Sequence, residues 1–236
     1  MIVRSAADHL LLITQPDHAG LAARFMAAWR RDDLPGSPLR DVILRATRDH
    51  DNGWVEFDRT PIVDPANGRL LDFINAPEPV RQGIWPRGVE RLRDVPYAAA
   101  LVGEHALSVY EHYRDRPAWA GFFTSMEEMR DAALAAAAPR TLADLRRDYF
   151  FVRMGDLASL AFCNAWREPQ KLARYELRLE GSELRFAPDP FGGARVPLTV
   201  AARRLPSRPY ASSADAAAAF AAAPEIEITG VAYGQS

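Results

Sequence analysis

The run from Leu142 to Trp166 repeats apolar residues at helical spacing, yet the face that reads as inward carries a carboxylate. Val152, Asp156, Leu160 and Cys163 fall on one line, because residues three, four and seven apart share a helix face. An unpaired carboxylate buried there costs several kcal/mol, a large part of the roughly 5–15 kcal/mol that holds a domain together. The chain must therefore fold so that something compensates Asp156. Three candidates exist: Arg153 one turn away, the amides of a helix start, or a cation with ligands from other helices.

The rest of the first two-thirds supplies such ligands. Pro16-Asp17 opens a helix over 17–31 whose apolar residues Leu21, Phe25 and Trp29 recur at steps of four, and His18 shares their face. Asp33-Leu-Pro-Gly-Ser-Pro reads as a loop. A second helix, Leu39 to His50, brings His50-Asp51 to its final turn, and Asn52-Gly53 ends it. A third, Pro96–Tyr113, aligns Leu101, His105, Val109 and His112, and a fourth covers Ser125–Ala137. Residues 54–94 are rich in Pro, Asp and Gly without a sustained period, and read as a long irregular excursion with short helical pieces. Excursions of that length are usually functional. Within this one, Trp85 and Arg87 are the candidates to face a substrate phosphate.

The ends of the chain read as strands: Ile2–Arg4 and Leu10–Thr14 at the start, then Leu172–Leu179, Glu183–Ala187, Val196–Arg204 and Glu225–Ala232. An alanine-rich helix, Ser212–Ala223, interrupts the last set. The expected fold is therefore mainly α. A helical domain over 1–168 carries short N-terminal strands, and a small β-rich C-terminal lobe over 169–236 packs on it.

Composition narrows the function classes. The 236 residues carry 29 basic and 31 acidic side chains, a net charge of -2, which gives no concentrated basic face for nucleic acid. No stretch of about twenty apolar residues exists to span a membrane. The opening run is interrupted by Asp8 and His9 and does not read as a signal peptide, so a cytoplasmic location is expected. With Cys163 the one cysteine, intramolecular disulfides and thiolate zinc clusters are excluded, and a buried lone cysteine is usually inert packing.

Thr14-Gln-Pro-Asp-His18-Ala at a helix start, a helix ending in His50-Asp51, and a late helical Asp156 together resemble the HD superfamily, helical proteins named for an adjacent His-Asp pair. That resemblance implies a divalent ion held by His18, His50, Asp51 and Asp156. Members with two ions add histidines between the pair and the last Asp, the place His105 occupies; His112 matches less well. Nearly the whole chain also resembles the bacterial domain-of-unknown-function family 3891. The matching segments are Gln15-Pro-Asp-His18-Ala, His50-Asp-Asn-Gly-Trp54, Gly155-Asp-Leu-Ala-Ser-Leu160 with Cys163, and Pro190-Phe191-Gly192.

Two imidazoles and two carboxylates form a mixed nitrogen and oxygen set suited to iron, manganese, zinc or nickel, as one or two ions. The expected reaction is hydrolysis of a small phosphorylated molecule, with Asp51 or His105 handling protons and Arg87 as an anion contact. With His105 completing a second iron site, oxygen chemistry of the di-iron HD type is the alternative. A third reading is non-catalytic binding of a ligand or partner through the β-rich lobe. Taken singly, each of these residues has an ordinary structural explanation; their order and shared inward faces point to a metal.

Overall fold

The computed structural model describes residues 1–31 and 34–235; Asp33, the start of the predicted loop, lies outside the described residues. Six longer helices precede or cover a single sheet: α1 (Gln15–Ala28), α2 (Leu39–Asp49), α3 (Glu78–Glu90), α4 (Pro96–Val109), α5 (Ala120–Ala136) and α6 (Leu142–Cys163), with α7 (Ser213–Ala222) near the end. The strands are β1 (Ile2–Ser5), β2 (His9–Ile13), β3 (Gln170–Leu172), β4 (Tyr175–Glu180), β5 (Glu183–Ala187), β6 (Val196–Pro206) and β7 (Glu225–Gly234).

The expectation of a mainly α, HD-type bundle with a small β-rich C-terminal lobe is corrected by the sheet. Seven strands join in the order β1-β2-β6-β7-β5-β4-β3, so the fold is α+β around one large mixed sheet. The N-terminal strands belong to it, because β2 pairs antiparallel with β6, His9 opposite Pro206 and Leu12 opposite Arg203. All pairings are antiparallel except β5 with β7. Strand β6 alternates buried and more exposed residues along its length, the pattern of a strand with one face in the core.

That inner face packs on α1 and α6. Trp29, just past the end of α1, meets Tyr175, Phe186 and Phe191 with ring centroids 4.9–6.2 Å apart, a cluster that fastens the helices to the sheet. A second, smaller core (Met1, Leu12, Leu70, Leu205, Tyr210 and Ala216 among it) lies where α7 and the chain around Val63–Leu70 meet the β1-β2-β6 end. Part of the 54–94 excursion thus serves the sheet.

Two features of the helices position the site. α6 runs unbroken through Gly155, where a Cβ would stand 2.9 Å from Thr47 Cγ2 and 3.0 Å from the Ala22 carbonyl oxygen. Glycine there lets α1, α2 and α6 approach closely, one residue before Asp156. The excursion also contains a full helix, α3, despite Pro79, Gly83, Pro86 and Gly88. Pro79 falls in the first turn, where it costs little, and burial of Ile84, Trp85 and Val89 outweighs the interior proline and glycines. Among the described residues, no helix is long and apolar enough to cross a membrane.

Candidate metal centre

Four helices bring five side chains to one point. His18 comes from the first turn of α1, which Thr14 caps by accepting from the Asp17 amide at 3.1 Å. His50 and Asp51 come from the end of α2, His105 from the middle of α4 and Asp156 from α6. His18, His50, Asp51 and His105 are at most 5% exposed, and the Asp156 side chain is 14% exposed at the mouth of the centre. The ligand atoms of His18, His50 and Asp51 lie within 4.8 Å of one another, and so do those of His50, His105 and Asp156.

Each histidine is held by its outer nitrogen and turns the inner one to the centre. His50 Nδ1 sits 2.7 Å from the Thr47 carbonyl oxygen, which can only accept, so Nδ1 carries a proton. Ser159 gives its hydroxyl proton to the Asp156 carbonyl at 3.0 Å, so it accepts from His18 Nδ1 at 2.7 Å. His105 Nδ1 lies 3.1 Å from the Tyr149 hydroxyl. This is the outer anchoring that metal-ligating histidines require.

Inside the centre, His18 Nε2 stands 2.8 Å from Asp51 Oδ2. His50 Nε2 stands 3.6 Å from Asp51 Oδ2 and 3.4 Å from Asp156 Oδ1, is buried, and makes no hydrogen bond. His105 Nε2 is 4.0 Å from Asp156 Oδ2. Buried polar atoms are almost always partnered, and an imidazole lone pair aimed at a carboxylate is stable only with a cation or a proton between them. The residues therefore fit a divalent ion: orphaned nitrogen, two carboxylates and closed outer hydrogen bonds all ask for positive charge at one point.

The electrostatics agree. Burial would raise Asp156, but His50, His105 and His18 hold it well below the usual carboxylate range; Asp51 is lowered against burial by His50 and His18. Burial disfavours the His50 cation, yet Asp51 and Asp156 outweigh it and lift His50 to about 9. His105 is pushed down to about 4 by burial and by His50. Arg153 makes no ion pair with Asp156 among the described residues; it lines a cavity beside it and donates to Ser108 Oγ at 2.6 Å.

Two predictions arise here. In the metal-free chain, His50 binds a proton more tightly folded than unfolded, so its contribution is complete below pH 6.5 and is lost as pH rises toward 9. His105 binds a proton less tightly folded, so stability is lost as pH falls from 6.5 toward 4. Urea unfolding in chelator will therefore show maximal stability near pH 6.5, with limbs on the order of 1–3 kcal/mol; a flat profile from pH 6.5 to 9 would contradict the charge assignment. Ser159→Ala will remove the anchor of His18 and weaken metal binding about 10-fold or more by calorimetry while leaving the fold intact.

The remaining sequence candidates, and the acidic residues just past the His-Asp pair, fall elsewhere. α4 ends at Val109, and His112 lies in a short turn (Glu111–Tyr113), exposed, with its ring 3.9 Å from that of Tyr113. It borders the cavity beside the centre. Arg87 is exposed and reaches the Gly53 carbonyl at 3.5 Å, outside that cavity. Glu56 pairs with Arg91. Asp58 is buried and accepts from the Gln15 amide at 2.6 Å and from the Met1 ammonium. Cys163 is fully buried, and burial pushes its thiol up.

The cavity, about 180 Å³, opens directly on Asp51, His105 and Asp156, and its other walls include Trp54, Trp85, Tyr110, Tyr113 and Arg81. Sequence reasoning found Trp85 but missed Arg81. The pairs Ile84/Gly88 and Trp85/Val89, each four apart, are the helical signal that would have placed it.

The family model for "Protein of unknown function (DUF3891)" matches residues 1–207, and the chain belongs to that family. No curated protein and no solved structure matches it.

Proposed function

We propose that this member of the unknown-function family is a metal-dependent hydrolase of a small phosphorylated molecule. The observation that carries the reading is the buried, unpartnered His50 Nε2 facing two ionised carboxylates. The arrangement is of the HD kind, with His18, His50, Asp51 and Asp156 holding one divalent ion. A bound divalent ion supplies Lewis-acid neutralisation of phosphoryl charge and lowers the pKa of water toward neutrality.

The chain's own residues do the rest. With one ion, His105 stays free; it is neutral at pH 7 and accepts a proton at Nε2 on the cavity side. Its Nδ1 stays fixed by Tyr149. Asp51 remains ionised and would share the ion with His18, 2.8 Å away, while Ser159 holds His18 through Nδ1. The aromatic walls keep bulk water from the reacting group, which strengthens each electrostatic contact inside.

A second reading rests on His105. It joins His50 and Asp156 in a ligand triad of its own, so two iron ions and oxygen chemistry are the alternative use of the same side chains. The test is to load the protein separately with Mn, Ni, Zn and Fe and assay a broad phosphoester panel beside oxygen uptake. Ion-dependent phosphate release is expected. Release from no ester with any ion would sink the hydrolase reading, and oxygen uptake by the iron form, lost in His105→Ala, would establish the second.

A further inference from the structure

The wall of the cavity away from the centre carries a cation that the reaction described above does not use. Arg81, on α3, is one of the cavity-lining residues and the one Arg or Lys among them. Its side chain is only 11% exposed. The guanidinium carbon lies 6.0, 5.3 and 5.5 Å from the ring centroids of Tyr110, Tyr113 and Trp119, and Nη1 donates to the Tyr113 hydroxyl at 3.2 Å. Its charge is met only in part there: Glu78, one turn earlier on α3, pairs with Nη2 at 3.8 Å and is shared with Arg116 at the same distance, while Nε is buried without a partner.

Between Arg81 and the centre runs an aromatic path. His105 lies 5.5 Å from Trp85, and Trp85 lies 6.0 Å from Tyr110, the ring over which Arg81 sits. The cavity is thus anionic at one end, cationic at the other and apolar between. An apolar cavity of about 150 Å³ holds one benzene ring, so the 180 Å³ between the two ends suits a body of that size, and past Val109, His112 and Asp156 the space continues into a second cavity beside Arg153 and Leu157. An arginine enclosed by aromatic rings has little freedom to lose on binding, and its guanidinium fork matches a planar carboxylate.

We propose that Arg81 anchors the substrate by a second anionic group, and that the substrate is a phosphorylated organic acid whose apolar body is no larger than a single ring. The reacting group lies at Asp51, His105 and Asp156, a placement that rests on the hydrolase reading; the anchor itself does not. In preference to nucleotides, compact aryl or alicyclic acid phosphates fit both ends.

The test is a tryptophan-fluorescence titration of the full chain with benzoate, benzamide and adenosine monophosphate, in chelator and again after saturation with Mn. In chelator Asp51 and Asp156 repel carboxylates at the metal end, so a preference for benzoate that disappears in Arg81→Gln reports on Arg81. Wild type is expected to bind benzoate at least 10-fold more tightly than its neutral isostere benzamide, and adenosine monophosphate at least 10-fold more weakly than benzoate. Arg81→Gln should abolish the preference for benzoate, Arg81→Lys should keep part of it, and both should retain wild-type metal content. Equal binding of benzoate and benzamide by wild type would overturn the anchor without any variant. Adenosine monophosphate binding as tightly as benzoate would overturn the size limit. A preference for benzoate in a protein that holds no metal would leave the anchor standing and remove the hydrolase reading instead.

Discussion

Asp156→Asn will leave the protein folded and strip the centre of its metal. Asp156 is the carboxylate that faces His18, His50 and His105 together, at 3.8, 3.4 and 4.0 Å, so it completes the triad with His50 and His105 and stands beside the one that holds His18. Loss of an outer-sphere partner already costs about 10–100-fold in metal affinity, and loss of a direct ligand that faces all three histidines is expected to exceed about 100-fold. The fold should survive, because replacing an ionised side chain that is costly to bury with a neutral one of similar shape removes a desolvation penalty. A second signature follows: without this charge, His50 loses one of the two carboxylates that raise it, so the alkaline limb of the metal-free stability profile should shrink. Elemental analysis and calorimetric titration with Mn check the first effect, urea unfolding from pH 6.5 to 9 the second. Undiminished metal content in the variant would mean the ion is held elsewhere.

Gly53→Ala will destabilise the chain more than a surface glycine replacement does. Gly53 follows the His-Asp pair, in a short 3-10 turn (Asn52–Trp54) pressed against α3. A Cβ there would sit 2.0 Å from the Ile84 carbonyl oxygen and 2.8 Å from its carbon. No rotamer relieves a contact between two backbones, so α3 and the turn must separate. Overpacking of this kind costs typically 1–3 kcal/mol and occasionally more; we expect about 3 kcal/mol. For a chain of this size that is roughly a 6–12 °C fall in Tm. Because α3 carries Trp85 and Arg81, the benzoate preference should also fall in this variant, while His18 and Asp156, on other helices, keep their places. A Tm change below about 2 °C would show that α3 does not rest on this turn.

The metal candidates were legible because each sits in a locally readable pattern. His18 shares a face with Leu21, Phe25 and Trp29, and Asp156 breaks the apolar line of Val152 and Leu160. His50 and Asp51 end a helix that the sequence marks at both ends. Asn52-Gly53 follows the end of α2 as expected, but what requires glycine at 53 was not legible: it is the close approach of Ile84, with no positive φ at that position. α3 was hidden because prolines and glycines depress its propensity while its stability comes from tertiary burial of Ile84, Trp85 and Val89. The sheet was hidden for another reason. Alternation identifies each strand, but nothing local tells His9 that it will lie opposite Pro206; strand pairing is decided by packing between distant segments, so the N-terminal strands looked like an appendage and the C-terminal ones like a lobe.

If His18, His50, Asp51, His105 and Asp156 form a metal centre, anomalous diffraction from crystals of the Mn-loaded protein will show a peak bounded by His50 Nε2 and the carboxylates of Asp51 and Asp156, with a second beside His105 when two ions bind. No peak at that point after loading, or a peak only at surface carboxylates, would contradict it and leave the five residues as a buried hydrogen-bonded cluster.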